Sequence, residues 1–282
     1  MQEVILDTIF DILKLLPFLF VAFFIMEYLE HKTKEKTKNI VKNAGKLGPL
    51  FGSVVGIVPQ CGFSAAAANL YSARIITLGT LIAVFLSTSD EMVPILISQS
   101  APINVIVKIL IIKLILGMLF GFLVDAINSI RKKKEKTAEE AIGHICEHEH
   151  CDCEHEGILK SSIKHTLSIT FFILIITFII NVLIYLIGEE KISELIVNIP
   201  VIGVMVSCLI GLIPNCASSV IITELYLSNL INFGTMIAGL LVGSGVGILI
   251  LFKTNKNLKQ NILITLILYL IGVISGIIIN II

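Results

Sequence analysis

Long apolar runs alternate with short polar connections along this chain. The first run extends from about Val4 to Tyr28, followed by a stretch rich in lysine. Leu47–Ala73, Ile75–Ser98 and Pro102–Val124 come next. After a polar stretch from Asp125 to about His155 lie Ser161–Ile187, Ile199–Leu227, Asn232–Phe252 and Asn261–Ile282. At 1.5 Å per helical residue, each is long enough for a hydrocarbon core of ~30 Å. The pattern predicts an all-α polytopic membrane protein.

Two of these runs share a motif. Gly56-Ile57-Val58-Pro59-Gln60-Cys61 recurs 155 positions later as Gly211-Leu212-Ile213-Pro214-Asn215-Cys216. The same offset pairs Ser64 with Ser219, Leu70-Tyr71 with Leu225-Tyr226, Gly79-Thr80 with Gly234-Thr235, Ala83 with Ala238 and Ser89 with Ser244. One constant offset over so many positions indicates a duplication. The expected organisation is membrane repeat 1 over 1–127, a linker over 128–157 and membrane repeat 2 over 158–282. Proline lacks the amide that a helix interior needs, so each motif should split its run into two half-helices, too short to span singly.

Charge constrains the threading. Positive charge in short loops marks the cytoplasmic side. The lysines of 32–46, the basic run 131–136 and the loop Lys253/Lys256/Lys259 are therefore expected on the cytoplasmic side of the cell membrane, and Glu189, Glu190 and Glu194 on the outside. Four crossings in the first half would put 32–46 and 131–136 on opposite faces. The run broken at Pro59 should instead be a re-entrant hairpin. Each repeat then has three spanning helices plus one hairpin, making six spans and four half-helices, about ten helices in all. An odd number of crossings per repeat inverts one repeat against the other and leaves both termini outside. The competing reading is two Pro-kinked crossing helices, which leaves the charge pattern unexplained. Inverted repeats with discontinuous helices are the plan of many secondary transporters.

Composition agrees. Hydrophobic residues make up 56% and charged residues 15%, against ~25% charged in a soluble domain, and the mean hydropathy is +0.96. A formal net charge of zero points to no nucleic-acid partner. Of six cysteines, three lie in apolar runs and three in one polar loop, which suits reduced thiols or metal ligands rather than disulfides. Glu3, Asp7 and Asp11 at the start argue against a cleavable signal. Asp7, Asp11 and Lys14 share a helical face and are read as pairing there, outside the ion path.

The candidate chemistry is acidic. Asp90 and Glu91 interrupt one apolar run, and Glu224 lies in the second half-helix of the second hairpin. Their repeat counterparts are Gly245, Val246 and Asn69. Each acidic residue at the bilayer centre costs about 2.5–3.5 kcal/mol, so the three need a partner. A bound cation is the simplest; Arg74, Lys108 or Lys113 are the internal alternatives. Oxygen ligands from Asp90, Glu91, Glu224, Gln60, Asn69 and Asn215 suit a Mn²⁺-like ion, with Ser89 beside the path. Cys61 and Cys216 would favour softer ions or arsenite, or else simply pack; Cys208 is expected to pack. Ser64, Ser87, Thr88, Ser89, Ser218 and Ser219 either line the path, cap the half-helices or bond back to helix carbonyls. In the linker, His144, Cys146, His148, His150, Cys151, Cys153 and His155 form a dense ligand tract without zinc-finger spacing, read as a flexible chelator of Zn²⁺-like ions. No phosphate-binding loop is present, so proton exchange is the expected drive.

The two Pro-[Gln/Asn]-Cys breaks, the Ser87-Thr-Ser-Asp-Glu91 stretch, Glu224-Leu-Tyr and the His/Cys-rich linker resemble the ten-helix heavy-metal exporters, a family also labelled arsenic efflux or manganese transporter proteins. The likeness covers nearly the whole chain and implies export of a metal or metalloid ion. Two other classes compete. A carrier of a small organic solute or anion would use half-helix N-termini, but the three carboxylates argue against it. A membrane oxidoreductase would need a Cys-x-x-Cys pair or intramembrane histidines, which the sequence lacks. The expectation is a transporter rather than an enzyme, without a cofactor, in contact with lipids and its ion, with a homodimer left open.

Overall fold

The computed structural model describes residues 47–59, 61–89, 92–131, 158–187 and 200–281, with isolated positions between 9 and 24. Most of the first apolar run, the lysine-rich stretch, the linker and the Glu189–Glu194 loop lie outside the described residues. The described regular structure is α-helical, without a strand. The first half contains α1 (Gly48–Gly56), α2 (Cys61–Ser72), α3 (Leu78–Ser87), α4 (Met92–Ser98) and α5 (Ile103–Arg131). The long α6 (Ile158–Ile187) precedes α7 (Pro200–Gly211), α8 (Cys216–Leu227), α9 (Phe233–Val242), α10 (Gly247–Thr254) and α11 (Leu258–Ile281).

The starts of α2, α3, α4 and α5 fall 155 residues before those of α8, α9, α10 and α11. Backbone detail follows the same offset. Arg74 and Asn229, just past the ends of α2 and α8, are both left-handed, with φ of 61° and 57°. At the start of α3, the Gly79 amide donates to Asp125 Oδ1 on α5 at 2.8 Å. At the start of α9, the Gly234 amide donates to Asn280 Oδ1 on α11 at 3.0 Å. Asp125 Oδ2 also accepts from Thr77, the residue whose hydroxyl caps α3. A helix start in an apolar surrounding needs such acceptors for its free amides.

Packing fixes the direction of each helix. Gly48 and Gly52 abut Thr80, and Gly56 abuts Val84 and Ser87, so α1 and α3 run parallel. The intervening α2 must carry the chain back, which makes α1–α2 a hairpin rather than a kinked crossing. The second half repeats this. Ser207 bonds the carbonyl of Thr235 at 3.0 Å, and Gly211 abuts Gly239, so α7 and α9 are parallel and α8 returns. In contrast α5 is antiparallel to α3, with Gly117 near Ala83 and Ser87 and Gly121 near Gly79. Between the halves, Ser64 abuts Gly247 and the Ser72 and Thr254 hydroxyls are 2.6 Å apart, so α2 and α10 run parallel.

The broken helices form the centre. Among the described residues, Ile103–Ile130, Phe233–Thr254 and Leu258–Ile281 are long and apolar enough to cross a membrane. In Phe233–Thr254, 83% of the most apolar stretch is buried, against 28% in Ile103–Ile130. Ile103, Val107, Ile111, Ile115, Leu119 and Leu123 form an exposed stripe along α5 at a spacing of four, the face offered to lipid. The structure also adds a break. The run expected to be continuous over Asn232–Phe252 splits between α9 and α10, mirroring the split between α3 and α4. Gly245 adopts φ 52° there. The dense glycines of 243–247 therefore serve a break as well as close packing.

A Cβ on Gly79 would lie 2.2 Å from the Gly121 carbonyl oxygen, and one on Gly211 would lie 2.1 Å from that of Gly239. Both neighbours are backbone and cannot step aside. Gly79→Ala and Gly211→Ala are expected to destabilise the fold by about 1–3 kcal/mol. Ile115→Ala, on the exposed stripe, should melt near the wild type in detergent. Equal melting of all four proteins would refute this packing.

Candidate functional site

The site is built from helix ends. In the first half, α1 ends at Gly56 and α2 begins at Cys61, while α3 ends at Ser87 and α4 begins at Met92. These two breaks are joined. The buried Ser89 hydroxyl donates to the carbonyl of Ile57, the residue capping α1. Beside it, the Thr88 hydroxyl bonds back to the Val84 carbonyl at 2.7 Å. The Ser87 hydroxyl points to the Lys113 carbonyl on α5 at 3.4 Å. Thr88 thus bonds back to its own helix, and Ser89 makes a cross-break bond to the end of the hairpin's first half-helix.

In the second half the hairpin tip closes on itself. The Asn215 amide donates to the Ile213 carbonyl at 2.7 Å, and the Ser218 hydroxyl donates to the Asn215 carbonyl at 2.8 Å. Asn215 is buried. The counterpart of Ser89 behaves differently: Ser244 is buried, and its hydroxyl has no hydrogen-bond partner among the described residues.

Other candidates divide clearly. Gln60, Asp90, Glu91 and the linker ligands His144, Cys146, His148, His150, Cys151, Cys153 and His155 lie outside the described residues. Cys61 and Cys216 open α2 and α8 immediately after the hairpin tips. Asn69 is 1% exposed, and neither its Oδ1 nor its Nδ2 finds a partner among the described residues. It shares a helix face with Ala65, Ala68 and Ser72, and Ser72 meets α10. Glu224, its counterpart on α8, is exposed. Cys208 is fully buried against Gly272, as packing requires. No three His, Cys, Asp or Glu side chains converge among the described residues.

Among the described residues, the basic residues considered as counter-charges make the following contacts. Arg74 lies 5.4 Å over the Tyr71 ring and bonds Gln260 at 3.3 Å. Lys108 lies 4.5 Å over the Phe233 ring. Lys113, 1% exposed, donates from Nζ to the carbonyl of Leu240 on α9. Sequence reasoning missed Ser244, the caps Asp125 and Asn280, and the reach of Lys113 across the halves. The caps could have been found, since Asp125 and Asn280 stand at the repeat offset with chemically similar acceptors.

A family model described as "Putative, 10TM heavy-metal exporter" matches residues 2–187. The chain belongs to this family. No curated protein matches, and no solved structure does. Membership makes the chain a multi-pass membrane protein of the heavy-metal exporter family. The match ends at Ile187, the last residue of α6; α7 to α11 lie beyond it, and α8 to α11 start 155 residues after α2 to α5.

Asn69 supplies a test of whether this interior is built for a ligand. A buried polar group without a partner costs about 1–3 kcal/mol, so a site of pure packing would not keep one. Asn69→Leu should melt at or above the wild-type temperature while metal export falls. A lower melting temperature, with export lost in proportion to folded protein, would make Asn69 a structural residue.

Proposed function

We propose that this exporter-family chain is a secondary transporter that moves a Mn²⁺-like divalent cation or arsenite out of the cell in exchange for protons. The observation that carries the proposal is the union of the first-half breaks through Ser89 and Ile57. It joins the Pro59-Gln60-Cys61 turn to the segment in which Asp90 and Glu91 follow Ser89. Broken helices are tolerated at membrane depth where they line a cavity or are buried in protein, and their carbonyl ends suit cations. Asp90, Glu91 and Glu224 are the proposed metal ligands. A carboxylate in such a place holds either the metal or a proton, which couples the two flows. Gln60, Asn69 and Asn215 add oxygen ligands, and Cys61 and Cys216 would extend the range to thiophilic ions.

In this reading the halves are inverted. Helix directions support it: α2 opposes α1 and α3, α10 runs with α2, and α9–α10 is one broken span, so α9 opposes its counterpart α3. The end of α5 that leads to the linker also lies at the same end of the molecule as the α10–α11 loop. Asp125 meets Thr77 there, and Ser72 meets Thr254. Arg131, Lys253, Lys256 and Lys259 gather at this end, which we assign to the cytoplasm.

Vesicles loaded across a panel of Mn²⁺, Zn²⁺, Co²⁺, Ni²⁺ and arsenite identify the ion. Asp90→Asn and Glu224→Gln should each remove its transport and the accompanying proton flux while leaving the protein inserted. Full transport by both variants would place the ion site elsewhere.

Orientation is tested separately, in a cysteine-free background. Ile40→Cys, Lys134→Cys and Lys256→Cys should be shielded from an impermeant thiol reagent added outside cells, and Glu190→Cys should react. Labelling of positions 134 and 256 from opposite faces would contradict the inversion.

A further inference from the structure

Lys113 is among the largest fully buried side chains, and the transport scheme does not use it. It stands on α5 in the first half, yet its ammonium meets the second half at the end of α9. That end is a broken one. The Gly243 amide takes the Gly239 carbonyl at 3.1 Å, and the chain then turns through Gly245 with φ 52° before α10 begins. The next carbonyl, that of Leu240, accepts from Lys113 Nζ. One turn on, the Ser244 hydroxyl is 1% exposed and without a hydrogen-bond partner among the described residues.

These features share one chemistry. The C-terminal end of a helix carries partial negative charge and carbonyls without amide partners. In discontinuous membrane helices such ends, with unwound backbone oxygens, are cation positions. A carbonyl and a buried hydroxyl in the same break suit a small monovalent cation. An ammonium carries the same charge and supplies three donors to such oxygens. The repeat counterpart of Lys113 is Leu268, so the feature belongs to one half. In the other half, Ser89 satisfies its hydroxyl on Ile57.

We propose that the end of α9 is a monovalent-cation position whose oxygens are the Leu240 carbonyl and the Ser244 hydroxyl, and that the Lys113 ammonium, bonded to the carbonyl and not to the hydroxyl, stands there in place of an alkali ion. Removing the amine while keeping the apolar stem then opens the position to sodium. The inference is independent of which ion the protein exports, and its test needs no transport measurement.

Purified Lys113→Met, Lys113→Arg and wild-type protein are melted in detergent across sodium chloride concentrations, with choline chloride holding the ionic strength constant. Lys113→Met should show a saturable, sodium-specific rise in melting temperature, about 3–5 °C at a tenfold excess over its dissociation constant. The wild type and Lys113→Arg, which keep a cation in place, should not distinguish sodium from choline. A Lys113→Met protein that responds equally to both salts overturns the proposal, as does an equal sodium response in the wild type. So does a Lys113→Met protein that cannot be recovered in either salt while Lys113→Arg folds, because sodium then fails to replace the amine.

Discussion

A helix that stops inside an apolar interior leaves amides and carbonyls that its surroundings cannot satisfy, and among the described residues this chain stops helices there in four places. The rest of the arrangement follows from how those ends find partners. Asp125 and Asn280 reach back from long helices to cap the starts of α3 and α9. Ser89 closes the end of α1 from the neighbouring break, Ser218 serves the second hairpin tip, and Lys113 takes the end of α9 from the opposite half. Apart from the local Ser218 bond, each links elements far apart in sequence. Satisfying the breaks is therefore the same event as assembling the helices around them.

Small residues make those bonds reachable. A capping side chain can meet a neighbouring backbone only if the helices approach closely, and glycine permits that approach. Gly79 against Gly121 brings α5 to α3, and Gly276 beside Gly234 brings α11 to α9. The same contacts bring Asp125 and Asn280 within reach of the amides they cap. In the proposed transport cycle, this close packing would hold the geometry of the helix ends while the halves move against each other.

How much of this was legible in the sequence depended on periodicity. The apolar runs, the 155-residue repeat and the proline breaks were readable because each is a local or repeated signal. The charge pattern also called for a hairpin at Pro59, and the parallel course of α1 and α3 agrees with one. The break at 243–246 was not read, because glycine marks both close packing and chain reversal and the run has no proline there. The partners of Lys113 and Asn69 were out of reach for a different reason. A side chain on an amphipathic pattern reveals which face it occupies, but not what stands opposite, and the lysine's partner is a backbone carbonyl with no sequence signature.

What the fold repeats and what it leaves unrepeated have different physical consequences. Repeated features such as the parallel α1–α3 and α7–α9 pairs give the two halves equivalent scaffolds. A symmetric scaffold with symmetric side chains would make the two ends of the molecule energetically alike. Here they differ. At one end Gln260 bonds both Tyr71 and Arg74, a polar closure between the halves, and within the second half Asn255 bonds Asn261 at 2.7 Å. At the other, Val105, Ser100 and Ile106 stand in the corresponding positions. There Tyr226 packs edge-on against Phe233 at 5.8 Å, and Lys108 lies over the same ring. Polar bonds exchange readily with water, whereas an aromatic contact opens only by exposing apolar surface. The two ends therefore respond differently to hydration, and under the proposed transport cycle a difference of that kind would favour one of two alternating openings at rest.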